Sequence, residues 1–354
     1  MLETTKDPHP ASLPSYPDYS RLVVMSTVYN SLQKTQLTPA VDLSRRMGCK
    51  LFFKREDQQL GFSPHMRGIF NRLSQIPPED RWRGVVVSDI GHYARATAWS
   101  SQLLKMQAVV IVSPCMPDNE VHELHKMGCA VTQSLSPDSM NPLTSAFKHQ
   151  APYVNPLNDP YVLAGIGTAG LEILQQIKDT PNLDSIFCSA SAGGVLEGIG
   201  LSVKQFAPHV KVIGVSLPST EPKSQVILPH YVESEGSELI NSLMATPEYP
   251  KLSHDGEMKT EAGRIHSAVV DEVIVVEPEE VLTAIKDVFL ESRVIVDLNG
   301  ALAVAGMKRY ALDVGSQQKL GPLVAVISSA NITFEQLRTL DGEKVTSTPF
   351  LMAD

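Results

Sequence analysis

The sequence lacks the features of membrane, disulfide-stabilised and nucleic-acid-binding proteins. Its 354 residues include no run of about 18 apolar residues, so no segment is expected to cross a bilayer. The four cysteines have no C-x-x-C spacing, which argues against a disulfide framework or a metal site and favours free thiols in the cytoplasm. A net charge of −9 argues against nucleic acid or an anionic membrane as a partner.

The first 20 residues also lack the apolar core of a signal peptide, and we expect them to form a loosely attached arm. Beyond them, continuous apolar runs alternate with helical patterns, which predicts an α/β protein with parallel sheets covered on both faces. Strands are predicted at residues 84–88, 108–112, 130–132, 185–188, 210–215, 269–276 and 322–327. Helices are predicted from about residue 66 and at 93–104, 119–127, 140–149, 171–178, 278–291 and 300–310. Residues 218–261 show no periodicity and predict a long irregular excursion.

Polar and titratable residues gather where predicted strands meet helices. The stretch 51–71 reads L-F-F-K-R-E-D-Q-Q-L-G-F-S-P-H-M-R-G-I-F-N, and further such stretches are V-S-D-I-G-H-Y at 87–93, S-A-S-A-G-G-V at 189–195 and V-I-S-S-A-N at 326–331. Together they resemble the threonine/serine dehydratase family, a branch of the fold-type II pyridoxal phosphate (PLP) enzymes, over about residues 20–340. That family reads roughly K-R-E-D…S-F-K-x-R-G-A-x-N in the first stretch.

The resemblance implies two lobes, each built on a mostly parallel twisted sheet. It places the large lobe at 21–86 and 156–354 and the small lobe at 87–155. The C-terminal regulatory domain of similar biosynthetic dehydratases is not expected here.

His65 occupies the place of the lysine that carries PLP in the resembling family. Imidazole cannot form the aldimine that a primary amine forms. Two interpretations stay open: a histidine that works as an acid and base near neutral pH, and a histidine that fills the vacated space. We therefore expect no cofactor and no binding of PLP.

The second stretch resembles the family's S-S-[AS]-G-N-H motif, with Gly91 in place of the asparagine that contacts the PLP phenolic oxygen. Asp89 is either an acid/base partner of His65 or the cap of the following helix. A carboxylate at this place would repel a substrate carboxylate.

The third and fourth stretches resemble the glycine loop that cradles the PLP phosphate and the serine that meets its ring nitrogen. Ser191 and Ala192 replace two loop glycines, while Ser328 keeps the serine position. V-D-L-N-G-A at 296–301 resembles the family's E-P-[SA]-G-A. The residues expected at the site are, as catalytic groups, His65, Asp89, His92 and Tyr93, and, as substrate-binding groups, Ser63, Ser88, Gly91, Ser191, Gly193, Gly194, Asp297 and Ser328.

These changes lead to three hypotheses about function. The first is a repurposed, PLP-independent lyase, isomerase or cyclase of specialised metabolism that acts by general acid/base catalysis on a small molecule. The second is a catalytically inactive pseudoenzyme that binds or regulates a partner. The third, least favoured, is a PLP-dependent threonine or serine dehydratase. Because the resembling family commonly forms dimers, we expect a homodimer.

Overall fold

The computed structural model describes residues 17–89, 93–114, 116–133, 151–177, 182–190, 194–218, 261–332 and 337. The predicted helix at 140–149 and most of the predicted irregular stretch at 218–261 lie outside these residues. No helix in the described part is both long and apolar enough to cross a membrane.

The described residues form ten strands and ten α-helices. The strands are β1 Leu37–Pro39, β2 Leu51–Arg55, β3 Val85–Ser88, β4 Ala108–Val112, β5 Ala130–Gln133, β6 Tyr153–Val154, β7 Ser185–Ser189, β8 Lys211–Ser216, β9 Glu272–Val275 and β10 Leu323–Ile327. The helices are α1 Tyr19–Val24, α2 Val41–Met47, α3 His65–Ser74, α4 Ala94–Leu104, α5 Asp118–Lys126, α6 Pro160–Gln176, α7 Val195–Phe206, α8 Glu261–Val269, α9 Pro278–Ser292 and α10 Leu298–Gly315.

Two sheets organise these elements. The six-stranded sheet has the order β1-β2-β10-β7-β8-β9, and only its edge strand β1 runs antiparallel to its neighbour. The four-stranded sheet, β5-β4-β3-β6, is parallel throughout. Nearly all residues of the inner strands are buried, as expected for sheets covered by helices on both faces. The predicted α/β class is confirmed.

Among the predicted elements that differ from the structure are one helix and one strand. The helix expected at 171–178 begins at Pro160, where Asp159 accepts hydrogen bonds from the first free backbone N–H groups. The strand expected at 269–276 is shorter, because Val269 ends helix α8 and only Glu272–Val275 pairs with β8. The division into lobes stays a prediction; its boundary at residue 86 falls inside β3 of the four-stranded sheet.

Helix α3, which begins at His65, packs tightly against helix α6. A side-chain carbon added to Gly165 would lie 2.5 Å from the carbonyl oxygen of Arg67, and one added to Gly68 would lie 2.8 Å from the Val162 side chain. Two glycines therefore let the helices approach closely. The same α3 also packs against α4, which follows a strand of the other sheet. This contact brings residues from both sheets towards the start of α3.

A buried charge network lies beneath this helix pair. The Arg67 guanidinium donates to Glu56 at 2.7 and 2.8 Å and to Glu172 at 2.7 and 3.0 Å, and none of the three side chains is more than 1% exposed. Lys54 also pairs with Glu172 and donates to the Thr35 carbonyl at 2.9 Å. Buried charges of this kind are tolerated only when each is paired. The network links α3, α6 and the end of β2.

Glu172 gives this network a predicted response to acid. Burial works to raise the pKa of its carboxyl, but Arg67 and Lys54 outweigh burial and hold the pKa below its usual range. A depressed pKa stabilises the folded chain above the unfolded value of about 4.3 and loses that effect as the pH falls through the folded value. We therefore expect the difference in unfolding free energy between the native chain and Glu172→Gln to shrink below about pH 4.

Urea denaturation at several pH values between neutral and pH 3 measures this difference. Glu79→Gln, at an exposed carboxylate, is the matched control. Its unfolding free energy should differ little from that of the native chain at every pH. A Glu172→Gln difference that stays constant or grows on acidification would contradict the expectation.

Candidate active site

The start of helix α3 brings three of the expected residues together. Ser63 Oγ lies 2.8 Å from His65 Nδ1, and both side chains are buried. The His65 ring meets the Tyr93 ring edge-on, with centroids 4.4 Å apart. Pro64 stands just before the first helical residue, where its fixed φ suits the helix. The site therefore centres on a histidine held between a hydroxyl and an aromatic ring.

Tyr93 directly precedes the first residue of α4 and is completely buried. Burial raises the pKa of its hydroxyl well above the usual range, and the nearby Glu197 carboxylate raises it further. The raised pKa means that the hydroxyl keeps its proton near neutral pH and is able to donate a hydrogen bond.

Gly194, which directly precedes helix α7, places the start of that helix near Tyr93. Its φ is +70°, which favours glycine, and an added side-chain carbon would lie 2.7 Å from the Leu163 side chain and 3.9 Å from the Tyr93 hydroxyl. The expected loop glycine thus lies beside the expected tyrosine, although one comes from each half of the chain.

Asp89 and Ser88 lie at the end of β3. Asp89 Oδ1 accepts a hydrogen bond from the backbone N–H of Ala94 at 2.8 Å, so it caps the start of α4. An acid/base partnership of Asp89 with His65 stays a prediction. The hydroxyls of Ser88 and Tyr153 share a hydrogen bond of 2.9 Å.

Two more of the expected residues, Ser328 and Asp297, lie near the end of β10. Ser328 Oγ donates to the Asn299 carbonyl at 3.2 Å. Asp297 caps α10 by accepting from the Gly300 N–H at 2.8 Å, and it also accepts from the Asn331 N–H at 3.0 Å. Four further expected residues lie outside the described residues: Gly91, His92, Ser191 and Gly193.

Sequence reasoning missed two pairings around these residues. Tyr153, the partner of Ser88, follows a proline in an unremarkable stretch and gave no signal. Glu197, in the first turn of α7, pairs with His266 Nδ1 at 2.8 Å. Nothing in the sequence pointed to this pair, because the two residues lie 69 positions apart.

The sequence matches the model of the pyridoxal-phosphate dependent enzyme family over residues 28–329. It is 36% identical over 329 residues to a threonine dehydratase-like protein of Alternaria alternata, covering 92% of this chain and 78% of that protein. It is 34% identical over 332 residues to the mitochondrial threonine dehydratase of Schizosaccharomyces pombe, covering 91% of this chain but only 53% of that protein. The chain thus spans about half the length of the second relative.

Solved structures agree with this relationship. The processed form of threonine deaminase isoform 2 from Solanum lycopersicum superposes with a TM-score of 0.72 at 26% identity, covering 92% of each chain. Maize serine racemase superposes with a TM-score of 0.71 at 21% identity, covering 91% of this chain and 96% of the racemase, and this likeness concerns the fold alone.

The described residues do not fit a Schiff-base attachment of PLP. An aldimine needs a primary amine, and helix α3 begins with His65. Lys54 is the only lysine among the buried residues of the described part. Its amine already donates to Thr35, Gln176 and Glu172.

The expectation that the chain has no cofactor is nevertheless wrong. It rested on the histidine at position 65, whereas the family matched across residues 28–329 is one of PLP-dependent enzymes. Helix α7 begins directly after Gly194, and the start of a helix is the general form of a phosphate-binding site. The sequence matches and the shared fold lead to one conclusion: this chain belongs to the pyridoxal-phosphate dependent enzyme family and to its threonine dehydratase-like members.

Proposed function

We propose that this chain is a threonine dehydratase-like lyase or isomerase in which His65 takes the place of the family's lysine and works as a general acid and base. The observation that carries the proposal is the 2.8 Å contact between the buried side chains of Ser63 and His65, from Oγ to Nδ1, with the Tyr93 ring packed against the imidazole. The substrate is a small molecule. Position 65 forms no Schiff base with cofactor or substrate.

The Ser63 contact suits a histidine that gains and loses protons. A hydroxyl can both donate and accept a hydrogen bond. Ser63 can therefore accept from Nδ1–H or donate to a bare Nδ1, so it supports either neutral tautomer and the protonated ring. His65 Nε2 is then able to take a proton from a substrate carbon and return one to a leaving hydroxyl.

Tyr93 complements this role. Its hydroxyl keeps its proton because burial raises its pKa, so it can donate a hydrogen bond to a substrate oxygen throughout the reaction. Such a donor stabilises charge that develops on oxygen in the transition state. The pair supplies one group that exchanges protons and one that does not.

The test is hydrogen exchange in D2O. The purified chain is incubated with threonine, serine and hydroxy acids that lack the amino group, and deuterium at carbon is followed by NMR. We expect exchange or water loss with at least one hydroxy compound, and its disappearance in His65→Gln. If no compound exchanges and the chain co-purifies with an active relative, it is a pseudoenzyme and the proposal fails.

We also propose that the chain is a homodimer, as the relationship to the family suggests, and that it lies in the cytoplasm, as the free thiols of Cys49, Cys129 and Cys188 suggest. Light scattering coupled to size exclusion should give twice the mass of one chain at micromolar concentration. A single-chain mass at every concentration tested would contradict the dimer.

A further inference from the structure

The turn that leads into the site has an unusual backbone. Gly61 and Phe62 both have positive φ, +74° and +57°. Phenylalanine rarely adopts this left-handed conformation, which persists only where the surroundings hold it. The next residue, Ser63, is the one that contacts His65. The position of Ser63 therefore depends on what holds this turn.

Groups that follow strands of both sheets lie against the turn. On one side, a side-chain carbon at Gly61 would lie 3.4 Å from the Trp99 ring of helix α4. On the other side, the Ala330 N–H points to the Phe62 carbonyl at 3.4 Å and Asn331 Nδ2 to the Gly61 carbonyl at 3.5 Å. The segment 329–331, which follows β10, thus lies against the turn that carries Ser63.

Asp297 fixes this segment with one of its two oxygens. Its Oδ1 accepts from the Gly300 N–H at 2.8 Å and caps helix α10. Its Oδ2 accepts from the Asn331 N–H at 3.0 Å and from the Ser329 hydroxyl. One oxygen therefore caps α10, and the other oxygen holds the segment 329–331; we call this second contact the anchor. Only the anchor leads to the active site.

We propose that Asp297 is a positioning residue for the Ser63–His65 pair. Its Oδ2 holds the segment 329–331, and this segment holds the Gly61–Phe62 turn from which Ser63 reaches the imidazole. This role differs from the substrate contact expected for Asp297 from the sequence. The catalytic consequence rests on the proposed function of His65, but the structural linkage does not.

Asp297→Asn separates the anchor from the cap. Asparagine caps helices about as well as aspartate, so its carbonyl oxygen can keep the Gly300 bond. Its amide nitrogen then faces the Asn331 N–H, where a donor meets a donor and this bond is lost, while the Ser329 hydroxyl can turn round and accept from the amide. Asn331→Ala removes the side-chain contact to Gly61 without touching the cap. Asp313→Asn, at an exposed position near the other end of α10, is the matched control.

The readout is the ring signals of His65 in NMR spectra of histidine-labelled protein, assigned with His65→Gln. We expect Asp297→Asn and Asn331→Ala to shift or broaden the His65 signals, while Asp313→Asn leaves them unchanged. Urea midpoints should stay close to that of the native chain. His65 signals that coincide with the native ones in both test variants would overturn the proposal.

Turnover of an identified substrate separates this inference from the proposed function. If the positioning role of Asp297 and the proposed function of His65 are both correct, Asp297→Asn lowers kcat by roughly tenfold to a hundredfold with little change in KM. A small misplacement of a reacting group reduces the rate by that factor. If His65→Gln keeps full turnover while Asp297→Asn still shifts the His65 signals, the proposed function fails and the positioning stands.

Discussion

Arg67→Met is expected to lower the free energy of unfolding by about 3–5 kcal/mol, because it leaves two buried carboxylates without their shared cation. Arg67 is fully buried and donates to both oxygens of Glu56 and of Glu172. Methionine fills much of the same volume but offers no charge. Since domains of this kind are stable by about 5–15 kcal/mol in total, the variant should be close to unfolding at room temperature.

Urea denaturation at neutral pH measures the loss. Arg45→Met is the matched control, because Arg45 pairs with Asp42 on the surface and both side chains are about three-quarters exposed; its cost should not exceed about 1 kcal/mol. Arg67→Lys keeps the charge without the planar fork and should fall between the two. A loss for Arg67→Met no larger than that of the control would contradict a structural role for the network.

His65→Gln is expected to lower kcat by roughly 10²–10⁴-fold, the usual contribution of a general acid or base. Glutamine is similar in length and keeps hydrogen-bonding ability towards Ser63, but it does not exchange protons near neutral pH. The Michaelis constant should change little, because the ring acts on the transition state more than on binding. Initial rates on the compound found by exchange in D2O give both constants.

Two further variants show whether this loss belongs to the site. Ser63→Ala should reduce kcat less than His65→Gln, since it removes the orienting hydroxyl and keeps the imidazole. His122→Gln, on the exposed face of α5, should leave both constants unchanged. Equal activity in His65→Gln and the native chain would remove His65 from the mechanism.

The sequence predicted the strands better than the helices, for a physical reason. Strands such as β4 are continuous apolar runs that are buried on both faces, and their ends match the prediction. Helix α6 was predicted to start eleven residues too late because the part before residue 171 contains Gly165, Gly167 and Gly170, which are poor helix formers. In the structure these glycines allow contact with neighbouring helices that alanine would prevent. Tertiary packing thus overrode local preference.

The candidate site was predictable only in part. The positions of Ser63, His65, Tyr93 and Gly194 followed from the resemblance, and the structure brings them together. The contact between Asn331 and Gly61 joins residues 270 positions apart, and no periodicity or motif marks it. Long-range contacts of this kind depend on how the strands are ordered in the sheet, which local patterns do not encode.

The most direct test of the central claim, that His65 occupies the position of the family's lysine, is to incubate the native chain and His65→Lys with PLP, reduce them with borohydride and map the pyridoxyl group by peptide mass spectrometry. We predict a reduced adduct at position 65 in the variant and no reaction of Lys54 in the native chain. An adduct on Lys54 in the native chain, or an unlabelled position 65 in a folded variant, would contradict the account.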